Sequence, residues 1–133
     1  MESSEHAVIG AVVSAVGVCF LRGRSLSTRL ALFAYGLLLS VFIDLDHFVW
    51  ARVQTGDWSH FTRAVTNPKW AFTEQDDVFE GASIDFERLL SHMVIGGLST
   101  AALWFASPAV AVYNAVVVYF HVLADMLREA ELA

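Results

Sequence analysis

Two carboxylates and an imidazole interrupt an apolar stretch of the chain at Asp44, Asp46 and His47. A charged side chain inside a membrane or a protein core is costly unless it is paired, hydrated or bound to a metal. Asp44 and His47 share a helix face because they are three residues apart, whereas Asp46 points to the flank of that face. One helix therefore offers an oxygen and a nitrogen to a common ligand, which makes this stretch a candidate functional site.

Further ionisable residues interrupt other apolar stretches of the chain. They are His6, His92, His121 and Asp125. The segment from His6 to Gly10 resembles the segment from His92 to Gly96, and the segments 42–47 and 120–125 are both His/Asp clusters. Each glycine lies on the same face as its histidine, and we expect it to let a neighbouring helix approach closely. We also expect Gly17, Gly36 and Gly97 to lie at helix contacts. The matches indicate an internal repeat of two helical hairpins, both of which cross the membrane in the same direction.

The composition is that of a membrane protein with a single domain, residues 1–133. Hydrophobic residues make up 56% of the chain, above the roughly 45–50% of soluble domains. The net charge is −6, and no basic stripe is present that could neutralise phosphates. Nucleic acid is therefore excluded as a partner, and the lipid bilayer is the predicted partner.

Four apolar stretches, about residues 4–21, 30–51, 89–106 and 109–127, are long enough to be transmembrane helices. The polar stretch 52–88 between the second and third is longer than an ordinary connection, and its aromatic side chains favour a segment on the bilayer surface. We therefore predict an all-α integral membrane protein with four transmembrane helices, arranged as two similar helical hairpins with a long outer loop between helices 2 and 3.

The distribution of arginines predicts the orientation. Arg22, Arg24 and Arg29 lie in the first loop, whereas the N-terminus has no Lys or Arg. The positive-inside rule places that loop in the cytoplasm and the stretch 52–88 outside the cell membrane. His6 and His92 begin odd-numbered spans and the other ionisable residues lie towards the ends of even-numbered spans, so all of them share one side of the membrane. With this orientation, that is the extracytoplasmic side.

Several imidazoles and carboxylates at one depth are the ligand types of zinc, manganese and iron(II), with zinc as the default. One alternative is a hydrogen-bonded polar network that holds the helices together without an ion. Another is a proton or ion pathway, which would need acidic or polar residues continuing to the opposite side, where the spans are mostly Val, Leu, Ala, Phe and Gly. His60 lies outside the pattern and is predicted to be a solvated loop residue.

The ordered motifs resemble a known family. They are His-x-x-x-Gly at His6, Asp-x-Asp-His at residues 44–47, Arg followed by Ser-His at residues 88–92, and His-x-x-x-Asp at residues 121–125. This order is similar to that of the YdjM-type family of membrane-bound metal-dependent hydrolases. The resemblance implies a small multispan membrane protein with a metal-dependent hydrolytic site. The chain departs from the family pattern at Ile43, where Pro is usual, and at Glu87, where His is usual; a carboxylate at 87 can still bind a metal or act as a base.

These observations together predict metal-assisted hydrolysis of an ester or phosphoester at the outer membrane surface, with a lipid-linked substrate favoured. The predicted metal ligands are His6, Asp44, His47, His92, His121 and Asp125. Asp46 or Glu87 would accept the proton from water, and Arg88 would hold a phosphate oxygen. The loop from Asp57 to Asp85 would cover the site as a lid. The alternatives are a non-enzymatic membrane protein whose His/Asp cluster is structural or binds a metal, and a small protein that handles ions or protons.

Overall fold

The computed structural model describes residues 3–81, 84–130 and 132. Residues 82 and 83 of the predicted outer loop, and residues 1, 2, 131 and 133 of the predicted domain, lie outside the described residues. The elements in chain order are α1 (Ser3–Phe20), α2 (Leu26–Phe42), a 3₁₀ turn (Ile43–Asp46), α3 (His47–Thr55), α4 (Ser59–Thr66), α5 (Pro68–Thr73), α6 (Gln75–Val78), α7 (Asp85–Ala106) and α8 (Pro108–Glu129).

Four helical segments are long and apolar enough to cross a membrane. They are Ser3–Phe20, Leu26–Thr55, Phe86–Ala106 and Pro108–Glu129. The prediction of an all-helical protein with four helices long and apolar enough to span a membrane is therefore confirmed, and no strand occurs in the described part of the chain. The second span begins earlier than predicted because the Ser25 side chain accepts a hydrogen bond from the Thr28 amide and caps α2.

The buried and exposed residues of α1 are distributed as expected for a helix in lipid. Its buried residues follow one another at intervals of four: His6, Gly10, Ser14 and Val18. An exposed apolar stripe with the same spacing lies on another side: Val8, Val12, Val16 and Phe20. A helix that exposes its apolar side chains and buries polar and small ones is suited to a hydrocarbon solvent. His6 and Ser14 of α1 therefore point into the helix bundle.

Glycines set the closest helix contacts. α1 packs against α2, α7 packs against α8, and α8 also contacts α1 and α2. A Cβ atom on Gly10 would lie 2.5 Å from the Ser40 Cβ, and one on Gly96 would lie 2.5 Å from Cγ1 of Val118. The predicted close approach at both glycines is confirmed. The similar prediction for Gly97 is wrong, since a Cβ there would meet no described atom within 4 Å.

A 3₁₀ turn at Ile43–Asp46 interrupts the second span, which the sequence predicts as one continuous helix. A 3₁₀ helix has three residues per turn, so side chains at i and i+3 are aligned. Asp44 and His47 are therefore on one side, as predicted, but the tighter winding also turns Asp46 towards α7. There its carboxylate accepts a hydrogen bond from Ser91 Oγ. The interruption lets the second span provide ligands in two directions.

The segment between the second and third spans is folded. α3 ends at Gly56, whose φ of 85° is the left-handed conformation that glycine tolerates. The short helices α4, α5 and α6 follow, and the ring of Phe79 contacts the ring of Phe48. The prediction that His60 is solvated is wrong: it is 7% exposed, and its Nδ1 lies 2.6 Å from the Val78 carbonyl oxygen. A hydrogen bond to that carbonyl and stacking on Phe79 hold His60 inside this segment.

A second polar layer lies between the spans, roughly 10 Å along α8 from His121 at 1.5 Å per residue. The Asn114 side chain accepts a hydrogen bond from Tyr35 and donates to Ser99 and Thr100. Tyr113 donates to the Leu32 carbonyl at 2.8 Å. The interior beyond the His/Asp cluster is thus more polar than the sequence predicts. The groups of this layer are amides and hydroxyls, which join helices without adding charge.

Candidate metal centre

Seven ionisable side chains from five elements meet at one end of the bundle. α1 provides His6, the 3₁₀ turn provides Asp44 and Asp46, α3 provides His47, α7 provides His92, and α8 provides His121 and Asp125. The four imidazoles, Asp44 and Asp125 are buried, with exposed fractions from 0% to 5%, and the Asp46 side chain is 12% exposed. The structure thus brings together the six predicted metal ligands and Asp46.

The first group of donors consists of His6, Asp44, His121 and Asp125, each offering one ligand atom within 4.8 Å of the others. His6 Nε2 lies 3.1 Å from Asp125 Oδ1 and 3.8 Å from Asp44 Oδ2. His121 Nε2 lies 3.2 Å from Asp44 Oδ1 and 3.4 Å from Asp125 Oδ2. Two imidazoles and two carboxylates therefore surround one point.

The second group consists of Asp44, His47 and His92. Asp44 Oδ1 lies 3.5 Å from His47 Nε2 and 3.4 Å from His92 Nε2. Asp46 Oδ1 adds an oxygen beside them, 3.6 Å from His47 Nε2 and 3.2 Å from His92 Nε2. Asp44 belongs to both groups, so the two groups are adjacent.

The separations between donors fit metal coordination. Zinc bonds of about 2.0–2.1 Å at tetrahedral angles place neighbouring ligand atoms roughly 3.4 Å apart. The N···O separations at the Asp44 oxygens are 3.2, 3.4, 3.5 and 3.8 Å. Two other pairs, His6 with Asp125 and His92 with Asp46, meet the geometry of hydrogen bonds. The buried His/Asp groups could therefore hold a metal ion.

A hydrogen-bonded network does not account for the burial of the Asp44 carboxylate. Both of its carboxylate oxygens are buried and have no hydrogen-bond partner among the residues that the structure describes. A buried carboxylate without hydrogen bonds costs several kcal/mol of desolvation energy. A cation at the shared point would provide both oxygens with a partner. This observation favours a metal site over a network that only holds helices together.

A hydrogen bond to the backbone of α2 fixes the orientation of the His121 ring. Its Nδ1 donates a hydrogen bond to the Ser40 carbonyl oxygen at 2.9 Å, so Nδ1 holds a proton and Nε2 of the neutral ring would face the cluster with its lone pair. Ser40 also donates from Oγ to the His6 carbonyl oxygen at 3.0 Å. Ser40 was not among the predicted site residues, although it lies one helical turn before Asp44 on the same face. Ser40 positions two of the donor residues.

Arg88 and Glu87 lie near the start of α7, and their side chains differ in placement. Arg88 is 9% exposed and its guanidinium pairs with Glu129 at the end of α8, a partner that sequence analysis did not identify. Its Nε is buried without a hydrogen-bond partner in the described chain. Glu87 is half-buried and forms no hydrogen bond or ion pair with a described residue. Glu87 is therefore not a member of either donor group.

Comparison with known proteins found no match to a family profile, to a curated protein or to a solved structure. The fold and the site nevertheless define a class. This chain is an all-helical protein with four candidate membrane spans and a buried His/Asp cluster that could bind a metal ion.

Proposed function

We propose that this protein is a membrane-embedded, metal-dependent hydrolase that acts on an ester or phosphoester at the outer membrane surface. The observation that supports this most is Asp44, buried without hydrogen bonds at the junction of two groups of imidazole and carboxylate donors. We propose zinc as the resident metal, since imidazole and carboxylate ligands at tetrahedral spacing suit it and nothing in the donor set selects another ion.

A divalent metal at this point would supply a polarised ester oxygen and a water that ionises near neutral pH. The residues of the chain provide the other functions. Asp46 is placed to accept a proton: it is the most exposed of the clustered carboxylates, and the Ser91 hydroxyl holds one of its oxygens. Arg88 can donate from its buried Nε to a phosphate oxygen while Glu129 holds its terminal nitrogen. Glu87, without a partner near the cluster, is the weaker candidate for the base.

An apolar cavity beside the cluster favours a lipid substrate. The cavity has a volume of about 300 Å³ and is lined by side chains of the second span and of α4 to α6, including Phe42, Phe48, Phe61 and Phe79. Asp44 lies in its wall, so a hydrocarbon chain in the cavity would end beside the donor groups. Exposed acids such as Asp57 on the covering segment would repel a soluble anion. A membrane-resident ester is therefore the favoured substrate, with α4 to α6 as its lid.

The proposed hydrolase activity has a direct test. Protein purified in detergent is incubated with phosphoesters and carboxylic esters, each in a long-chain and a short-chain form, with and without a chelator. We expect hydrolysis of a long-chain ester, loss of that activity in chelator, and its return on addition of Zn²⁺. Equal rates with and without chelator would contradict metal dependence. A protein that hydrolyses no ester with or without added Zn²⁺, and that is equally stable with and without chelator, would support a cluster that only joins helices.

We propose the extracytoplasmic side for the site, because the first loop contains Arg22, Arg24 and Arg29 and the N-terminal residues contain no Lys or Arg. The arrangement of the spans as two similar hairpins belongs to the same proposal: α1 with α2 and α7 with α8 would be related by an axis along the membrane normal. Both hairpins would then direct their histidines to the outer surface.

Cysteine labelling tests this orientation. With Cys19 replaced by Ala, single cysteines are introduced at Gly23, in the first loop, and at the exposed Thr73, at the end of α5. We expect an impermeant maleimide to label Thr73→Cys in cells whose cytoplasmic membrane is intact, and Gly23→Cys only after that membrane is permeabilised. The opposite labelling pattern would place the His/Asp cluster on the cytoplasmic side.

A further inference from the structure

We infer that the cluster binds two divalent metal ions, with Asp44 as a carboxylate bridge between them. This inference rests on the proposed metal dependence and specifies the number of ions and the ligands of each. The first ion would be held by His6, His121 and Asp125, the second by His47 and His92, beside which Asp46 would remain the proton acceptor. Asp44 would be a ligand of both.

The imidazoles form two stacked pairs that match the two groups, and His92 and His121 meet edge to face at 4.8 Å where the groups join. The rings of His6 and His121 are stacked with centroids 3.9 Å apart, and those of His47 and His92 are stacked at 5.1 Å. Each pair contributes Nε2 atoms to one group of donors. Four imidazoles around a single ion, in addition to its carboxylates, would exceed the four ligands usual for zinc. Two pairs with a shared carboxylate give each ion an ordinary set.

The two oxygens of Asp44 face different imidazoles. Oδ2 lies 3.8 Å from His6 Nε2, whereas Oδ1 lies 3.5 Å from His47 Nε2 and 3.4 Å from His92 Nε2. His121 Nε2 also lies 3.2 Å from Oδ1, so Oδ1 faces an imidazole of each group, whereas Oδ2 faces His6. Asp44 can thus reach both ions, and two-metal hydrolytic sites have ions about 3.5–4 Å apart, a spacing that a bridging carboxylate allows. The absence of hydrogen bonds to either Asp44 oxygen from the described residues leaves both available.

The charge of the cluster also favours two ions. With neutral imidazoles, Asp44, Asp46 and Asp125 give it three negative charges, and the nearby Arg88 is balanced by Glu129. A single divalent ion would leave a net negative charge that repels an anionic ester. A second ion would make the cluster net positive, which an anionic phosphoester would balance. A cluster with two ions would therefore bind a phosphoester better than a neutral ester.

Metal counting and spectroscopy on the full-length protein in detergent test this inference. Mn²⁺ bound after dialysis is counted in the wild type and in His121→Gln, His47→Gln and Asp44→Asn, and wild-type Mn²⁺ protein is examined by electron paramagnetic resonance. We expect two ions per chain in the wild type, one in each His→Gln variant, and fewer than one in Asp44→Asn. The wild-type spectrum should show the multiline pattern of two coupled Mn²⁺ ions.

Two results would overturn the shared centre. One is a single ion in the wild type, and the other is two ions with the spectrum of isolated Mn²⁺. The wild-type spectrum decides the matter even if the variants do not fold. Two coupled ions in a protein that hydrolyses no ester would support this inference and contradict the proposed function.

Discussion

Replacement of Asp125 by Asn is expected to lower the metal-dependent hydrolysis rate by at least 100-fold while the protein remains folded. Asn keeps the shape of the side chain and can accept the hydrogen bond that His6 Nε2 makes at 3.1 Å. It lacks the negative charge with which a carboxylate binds a divalent ion. Lewis-acid stabilisation by a metal contributes several kcal/mol, and each 1.4 kcal/mol or so is a factor of ten in rate, so a loss of about 3 kcal/mol gives roughly 100-fold.

The substitution separates a metal site from a structural network because the two depend on different properties of Asp125. A network needs hydrogen bonds, which Asn can make, whereas a metal ligand needs the carboxylate. The measurements are the hydrolysis rate, bound zinc and the thermal unfolding temperature in detergent, with Asp57→Asn, an exposed position outside the donor groups, as the matched control. If Asp125→Asn retained its zinc and its activity, Asp125 would not be a ligand.

The assembly of the cluster follows from features that the sequence contains. His6 and His92 lie towards the starts of α1 and α7, and Asp44 and His121 lie towards the far ends of the spans that follow. Helices that cross a membrane in alternating directions must bring these positions to one end. The apolar character of the spans and the glycines at positions 10 and 96 are equally visible in the sequence. Length, hydropathy and chain direction were sufficient to predict where the ionisable residues meet.

Other features could not be predicted because tertiary contacts determine them. The 3₁₀ turn at Ile43–Asp46 has no proline or glycine that would indicate a break, yet it directs Asp46 towards Ser91 on α7. His60 follows polar residues typical of a loop, and its burial depends on the Val78 carbonyl and on Phe79, both distant in sequence. The role of Ser40 depends on which carbonyl faces His121. Each of these features involves a partner that local pattern does not identify.

Replacement of Gly10 by Ala is expected to destabilise the protein by forcing α1 away from α2. The new Cβ would lie 2.5 Å from the Ser40 Cβ and 2.7 Å from its Oγ. A Cβ is fixed to the backbone, so α1 and α2 would have to separate, and the Ser40 hydrogen bonds to His6 and from His121 would be strained. Overpacking of this kind costs about 1–3 kcal/mol, which corresponds to a fall in unfolding temperature of roughly 10 °C at the upper end.

The matched control is Gly97→Ala, on α7, where the added Cβ would meet no described atom within 4 Å. That variant should be neutral or gain up to about 1 kcal/mol, because Ala favours a helix more than Gly does. Both variants are compared with the wild type by thermal unfolding in detergent and by zinc content. Since Gly10 also holds His6 and Ser40 in register, Gly10→Ala should lose zinc along with stability, whereas Gly97→Ala should retain both. Equal stability of the two variants would show that α1 and α2 do not pack as closely as Gly10 and Ser40 require.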